Sequence, residues 1–189
     1  GDGIQDPTEL GINGVTVLLK DATTLAVLQT TVTTNGGPTG SAGYYNFTVD
    51  PGTYVVMFMA PTGNTLSPTG NGTTTTDSDP NPTTGNSNPV TVTSGGSNQT
   101  IDAGLYQPAS LGNYVWEDLN KNGIQEAGEP GVNGVTVLLK NAVGTVLQTT
   151  VTTTNAGTAG YYQFTNLAPG DYMVMFMTPT GYNETTPNT

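Results

Sequence analysis

Residues 13–20 read NGVTVLLK, and the same octapeptide returns unchanged at residues 133–140. Successive side chains of an extended chain point to opposite faces, so Val15, Val17 and Leu19 share one face. The Asn-Gly pair that opens the octapeptide is a turn signal. The stretch therefore predicts a β-strand with one buried face, formed twice in the chain.

The repeat continues on both sides of this strand. Residues 28–34 read LQTTVTT and return at residues 147–153, and the Pro-Gly pair at residues 51–52 returns at residues 169–170. The offset is 120 residues at the octapeptide and 118 residues at the Pro-Gly pair. Small insertions between the apolar runs account for the change, because loops tolerate them. The chain therefore contains two copies of one domain, with a period of about 118 residues.

Each copy consists of short β-branched runs bounded by Gly, Pro and Asn, and helical periodicity is absent. We predict an all-β chain of two tandem, seven-stranded antiparallel β-sandwiches. The first domain, residues 1–109, lacks its first strand, and the second, residues 110–189, lacks its last strands. Residues 63–88 show no strand pattern and predict a long loop. The predicted strands are 15–20, 27–33, 44–48, 53–59, 89–93 and 100–106, then 111–116, 135–140, 146–152, 161–165 and 171–177.

The composition excludes several classes of function. The chain has 3 Lys and Arg against 14 Asp and Glu, no His and no Cys, for a net charge of −11. Without His or Cys there is no Ser-His-Asp triad, no thiol nucleophile and no imidazole or thiolate metal site. So few cations argue against nucleic-acid binding, and no stretch has the ~18 apolar residues of a membrane helix. A bound metal would be a hard cation held by oxygen, such as calcium or magnesium.

One segment, residues 118–129, has the spacing of a calcium-binding loop. Side-chain oxygens fall at positions 1, 3, 5, 9 and 12, and Gly123 stands at position 6. An EF-hand has a helix on each side of its loop, and no helix is predicted here. The alternative is a solvated turn rich in Asp and Asn. The predicted calcium ligands are Asp118, Asn120, Asn122, the carbonyl of Ile124, Glu126 and Glu129.

The first copy keeps only the second half of this loop. Asp2, Ile4, Asp6 and Glu9 align with positions 5, 7, 9 and 12. They predict a half-site, completed by upstream residues or by a neighbour. A second acidic cluster alternates oxygen side chains within one loop, and its alternative is a polar turn. This cluster consists of Asp77, Asp79 and Asn81.

All five methionines lie in two equivalent predicted strands, at Met57, Met59, Met173, Met175 and Met177. They alternate with the aromatic and Val residues expected to face the core. We therefore predict an outward apolar stripe that packs against another copy, since exposed apolar stripes usually mark contacts. The alternative is a strand buried on both faces within its own domain.

Residues 112–125, GNYVWEDLNKNGIQ, resemble the opening of the SdrD B-like repeat of bacterial surface proteins. Residues 131–137, GVNGVTV, and residues 101–106, IDAGLY, continue the pattern of that family. The resemblance implies a Cna-B-like, prealbumin-like (Ig-like) β-sandwich, stabilised by calcium and strung in tandem on adhesins and surface fibres. It also implies that Asp77, Asp79 and Asn81 match a second acidic stretch of the family.

These features together predict a structural module, rather than an enzyme, of an extracellular bacterial surface protein. It would be a calcium-stiffened stalk or a self-assembling fibre or adhesin subunit. Its partners would be neighbouring copies of itself, with strand exchange as one route. The Thr run at residues 73–76 is a candidate carrier of O-linked glycans. The alternative is a module that binds a glycan or a host protein through the loop at residues 63–88, which contains no aromatic residue.

Overall fold

A computed structural model of the chain describes residues 1–185. The secondary structure of these residues is entirely strand and turn, and every strand pairing is antiparallel. This confirms the predicted all-β, antiparallel fold. Internal contacts divide the chain into two units, Gly1–Pro108 and Ala109–Thr189, called unit 1 and unit 2 below. The described residues include no helix of the length and apolarity needed to cross a membrane.

Unit 1 is built on a four-stranded sheet of order β2-β1-β5-β7, with two further two-stranded pairs, β3-β4 and β6-β8. Its core consists of Val17, Leu19, Val56, Phe58 and Leu66. The strands are β1 (Thr16–Asp21), β2 (Val27–Val32), β3 (Thr34–Gly36), β4 (Ser41–Tyr44), β5 (Gly52–Met59), β6 (Thr65–Leu66), β7 (Val90–Val92) and β8 (Leu105–Tyr106).

The buried face of this sheet follows the alternation in the sequence. Val17 pairs with Phe58 and Leu19 with Val56 across β1 and β5, and all four side chains are buried. The ring of Tyr45 lies edge-on to Phe58 at 5.4 Å between ring centres and closes the core from the opposite side. Burying each such side chain contributes roughly 1.5–3 kcal/mol, so this apolar face holds the unit together.

Unit 2 repeats the arrangement with two three-stranded sheets, β11-β10-β14 and β12-β13-β9. Val137 and Leu139 pack there against Tyr162, Phe164 and Leu167. The strands are β9 (Ala109–Tyr114), β10 (Thr136–Asn141), β11 (Val146–Val151), β12 (Thr153–Asn155), β13 (Thr158–Leu167) and β14 (Tyr172–Phe176).

Gly160 lies where two backbone segments of unit 2 come close together. A Cβ at this position would lie 2.0 Å from the carbonyl oxygen of Val115, and the backbone φ is +85°. Both conditions require glycine, because L-residues with a side chain rarely adopt positive φ. The backbone of β13 can therefore come close to the segment that follows β9 without a steric clash.

Two strand predictions in unit 1 are wrong for the same physical reason. The strand expected at residues 44–48 ends at Tyr44, whereas β13 continues for 10 residues because β9 pairs along it. No strand among the described residues pairs with residues 45–49 of unit 1. An extended segment without a partner forms no ladder. The strand expected at residues 100–106 shortens likewise to β8.

Residues 63–88 contain more structure than the sequence predicts. β6 lies inside this segment and pairs with β8, which lies outside it, and Leu66, Ser67, Ser78 and Pro80 are buried. The segment therefore lies against unit 1 as part of its packing, and it brings its acidic residues with it.

Candidate cation sites

The loop at residues 118–129 of unit 2 is closed at its base by backbone pairing. Trp116 and Gly131 form an antiparallel bridge, and the Glu117 N–H donates to the Pro130 carbonyl at 2.9 Å. The twelve residues between therefore form one turn-rich loop anchored at both ends. Lys121 and Gly123 adopt positive φ, at 61° and 77°, which bends the chain back on itself.

Asp118 lies inside this bend and accepts backbone hydrogen bonds from it. The Gly123 N–H donates to Oδ2 at 2.8 Å, and the Asn122 N–H donates to Oδ1 at 3.2 Å. Burial alone would raise the pKa of Asp118, but these donors outweigh burial and hold the pKa below its usual value. The carboxylate is therefore ionised at neutral pH, as a calcium ligand must be.

The other predicted side chains join the same network. Asn120 Nδ2 donates to Glu126 Oε2 at 2.6 Å, and Asn122 Nδ2 donates to Glu126 Oε1 at 3.1 Å. Glu129 spans the loop, because its two oxygens accept the N–H groups of Leu119 and Glu126, each at 3.0 Å. The structure thus brings together all five side chains predicted at positions 1, 3, 5, 9 and 12.

The ligand role of the Ile124 carbonyl remains a prediction. The Ile124 N–H donates to Asn122 Oδ1 at 2.7 Å, and the Ile124 side chain is exposed. In the described residues, no three acidic side chains are gathered tightly enough to hold a metal ion. The side-chain oxygens of the loop accept hydrogen bonds from amide N–H groups. Binding of a cation therefore requires the Asn side chains to rotate their oxygens inward.

The half-loop of unit 1 adopts the same turn. The Ile4 N–H donates to Asp2 Oδ1 at 3.1 Å, and the Asp6 N–H donates to Glu9 Oε2 at 3.1 Å. These bonds match those that Ile124 and Glu126 make in unit 2. The second half of the loop therefore makes the same hydrogen bonds in both units.

The half-loop lies directly against the second acidic cluster. Ile4 forms an isolated antiparallel bridge with Asp77, and the Ser78 N–H donates to the Gly3 carbonyl at 3.0 Å. The two features were predicted as separate sites. The structure places both on one cleft of about 350 Å³, which Glu9 also lines.

Asp102 completes this cluster and is absent from the sequence-based prediction. Its N–H donates to Asp79 Oδ2 at 2.7 Å, and the Asp79 N–H donates to the Asp102 carbonyl at 2.9 Å. Burial, and to a smaller extent the charges of Asp79 and Asp77, raise the pKa of Asp102 to about 6. A carboxylate inside the apolar run IDAGL was the available signal, since a buried carboxylate needs a partner.

The cluster carries more negative charge than its surroundings neutralise. Burial also raises the pKa of Asp79; the Asp102 N–H opposes this effect, and the nearby Asp77 charge adds to it. Oδ1 of Asp77 is buried with no hydrogen-bond partner. Burial, together with the charges of Asp102 and Asp79, raises the pKa of the Tyr45 hydroxyl well above its usual range. An unsatisfied buried carboxylate oxygen near two further carboxylates favours a bound cation, and the three side chains would have to move closer together to hold it.

Asn81 does not join these three carboxylates. Its Oδ1 accepts the N–H groups of Thr83 at 2.9 Å and Thr84 at 3.1 Å, which makes a local Asx turn. Asn81 therefore forms a polar turn, as the alternative interpretation expected. A role of Asn81 as a cation ligand remains a prediction.

The methionine stripe differs between the two units. Met173, Met175 and Met177 are exposed, at 45%, 43% and 47%, and Met59 is similarly open. Met57 is half-buried and forms a bridge with Asn86, while the Phe58 N–H donates to the Gly85 carbonyl at 2.9 Å. Residues 85–87 thus run along β5. Unit 1 therefore covers Met57 itself, as the alternative interpretation expected, and the outward stripe is continuous only in unit 2.

Comparison with known families agrees with this geometry. The family model of the SdrD B-like domain matches residues 1–105 and 109–189, which together cover nearly the whole chain. The chain belongs to the SdrD B-like family. The resemblance inferred from the sequence is thereby confirmed, and both units are SdrD B-like, Cna-B/Ig-like β-sandwich domains.

Relatives of this SdrD B-like chain come from staphylococci. It is 46% identical over 187 residues to the serine-aspartate repeat-containing protein D of Staphylococcus aureus (strain Newman), covering 97% of this chain and 13% of that protein. It is 42% identical over 190 residues to the serine-aspartate repeat-containing protein F of Staphylococcus epidermidis (strain ATCC 12228 / FDA PCI 1200), covering 99% of this chain and 11% of that protein. The chain therefore spans about an eighth of the length of these relatives.

Proposed function

We propose that this chain is a non-enzymatic, calcium-stiffened repeat segment of a bacterial cell-surface protein. Its membership of the SdrD B-like family and its match to a short part of much longer relatives support a role as a spacer between other parts of a protein. Two β-sandwich units in succession suit such a role, because each unit folds around its own core.

The observation that carries the calcium assignment is the cluster of Asp77, Asp79 and Asp102. Burial and neighbouring charge raise the pKa values of Asp79 and Asp102, and one Asp77 oxygen is buried without a hydrogen-bond partner, so a bound cation would stabilise this cluster. The donors here and in the loop at residues 118–129 are all oxygens, which favours calcium or magnesium over softer metals. The loop spacing and a carboxylate that can bind through both oxygens favour calcium, which accepts six to eight oxygen ligands.

Direct titration tests this proposal. We expect calcium added to the chelator-treated full chain to give a saturable heat of binding, with more than one site. Asp118→Ala removes the loop site and Asp102→Asn weakens the cluster site, so each variant should lose part of the signal. Asp50→Asn, an exposed change of equal charge in unit 1, serves as the control. Absence of calcium binding at millimolar concentration, measured by calorimetry, would contradict the proposal.

Contact between copies through methionine is a second candidate function, favoured by the exposed Met side chains of β14. Met175→Glu places a charge on this open face, so we expect it to disperse assemblies while leaving the melting temperature nearly unchanged. Met57→Glu places the same charge beside Asn86 in unit 1, where it should lower the melting temperature by several degrees. Electron microscopy and thermal melting of both variants separate these effects. Assemblies unaffected by Met175→Glu would exclude this surface.

A further inference from the structure

The strands β2 and β11 have the same sequence, VLQTTV, and each is the outermost strand of its sheet among the described residues. Neither strand contains a charged residue, Gly or Pro. Such residues normally protect edge strands from pairing with other chains. Both units therefore present the same edge strand without these protecting residues, in a protein whose net charge is −11.

The apolar side chains of these strands are about half exposed. In β2 the exposed fractions are 53% for Val27, 51% for Leu28 and 46% for Val32. In β11 they are 46% for Val146, 49% for Leu147 and 46% for Val151. Two independent copies of the sequence thus leave the same side chains open, so the exposure belongs to the fold rather than to one unit.

The backbone of each strand is also available for pairing. β1 pairs with one side of β2, and β10 pairs with one side of β11. In an antiparallel ladder, every second residue directs its N–H and C=O away from the partner strand. In each pairing one residue of the edge strand is skipped, Leu28 between Val27 and Gln29 in β2 and Leu147 between Val146 and Gln148 in β11. The rest of each edge is regular.

We propose that β2 and β11 are self-association edges, on which the same strand of a second copy adds in antiparallel orientation. In a symmetric pairing of the regular residues 29–32, Gln29 faces Val32 of the other copy and Thr30 faces Thr31; residues 148–151 pair in the same way. Each of these pairs contains a β-branched residue, which stabilises sheets, and no charges oppose one another.

The charge distribution identifies a second copy as the occupant. Two chains of charge −11 repel each other, so they can approach only through surface that carries no charge of its own. VLQTTV is such a surface and is complementary to itself. Each chain carries two of these edges, so pairing extends into a row of copies. This inference goes beyond the calcium proposal, because the edges contain no carboxylate and pairing needs no cation.

Sedimentation velocity of the full chain in EDTA tests the proposal. We expect oligomers whose fraction increases with protein concentration and with sodium chloride, because salt screens the repulsion. Thr30→Lys with Thr149→Lys adds a cation to the middle of each edge. This double variant should raise the dissociation constant at least about tenfold. Leu28→Thr with Leu147→Thr keeps the strand propensity and should weaken association in the same direction.

Thr62→Lys with Thr180→Lys is the matched control, because it adds the same charge at equivalent exposed turns of the two units. This control should associate at least as strongly as the unmodified chain, since it only reduces the net negative charge. A monomeric wild-type chain at every salt and protein concentration would overturn the proposal. Equal weakening by the edge and control variants would do so as well. Because the measurement is made without calcium, its result does not depend on the calcium proposal.

Discussion

Removal of calcium with EDTA is expected to lower the melting temperature of the chain by about 10–20 °C, and added calcium should restore it. A ligand at 100 times its dissociation constant stabilises the folded state by about 2.7 kcal/mol. For a domain of 60–100 residues, each kcal/mol corresponds to roughly 4–8 °C. The physical cause is neutralisation of neighbouring carboxylates, which the cation would draw together, in the loop of Asp118, Glu126 and Glu129 and in the three-aspartate cluster.

Differential scanning calorimetry in EDTA and in calcium measures this effect. Asp118→Ala should reduce the calcium gain of unit 2 and leave that of unit 1. Asp50→Asn should leave both gains unchanged. Magnesium at the same concentration should have a smaller effect, because it demands a tighter octahedral shell. Melting curves that superimpose in EDTA and in calcium would remove the basis for both sites.

Asp102→Asn is expected to have opposite effects with and without calcium. The folded pKa of Asp102 is about 6, against an ordinary value of 3.8, so the folded state binds more protons between these values. The contribution of Asp102 is therefore least unfavourable at low pH, and stability falls as the pH rises through about 6. Replacement of Asp102 by Asn removes this pH-dependent loss of stability. In EDTA at pH 7.5, we expect the melting temperature to rise by about 4–8 °C, roughly 1 kcal/mol after allowing for solvent screening.

In saturating calcium the same variant should melt below the unmodified chain, because it lacks one cation ligand. Melting temperatures measured from pH 4.5 to 7.5 in EDTA check the sign, with Asp50→Asn as the charge-matched control. Other carboxylates titrate in this range, so the difference between variant and unmodified chain is the quantity to compare. A variant that tracks the unmodified chain at every pH would show that Asp102 carries no raised pKa.

The fold was predictable where a residue's environment depends on its own strand. Val17 and Leu19 alternate with polar neighbours, and their burial follows from that alternation. Tyr45 shows the limit, since its segment has the same Gly-Tyr-Tyr sequence as residues 160–162. Only the pairing of β13 with β9 makes the second copy a long strand. Strand formation there depends on a distant partner, which local sequence does not specify.

The candidate sites divide in the same way. The loop at residues 118–129 was predictable because all its oxygens lie within twelve residues and turn geometry brings them together. The cluster joins Asp102 to Asp79 and Asp77, which lie 23 and 25 residues earlier, and only the fold brings the two segments together. Asn81 fits the spacing rule, but its Oδ1 accepts a hydrogen bond within its own turn. Spacing thus predicts ligands within one loop and fails where a site is assembled from two segments.

The hydrogen bonds around the aspartate cluster also determine how unit 1 would carry mechanical load. Tension entering at Gly3 can cross to Ser78, continue to Asp79 and cross again to Asp102, through bonds of 3.0, 2.9 and 2.7 Å. This route reaches the end of the unit without passing through β1, β2 or β5. A pull along this route would load these hydrogen bonds before it reached the apolar core. If a cation binds the three-aspartate cluster as proposed, it would reinforce this route.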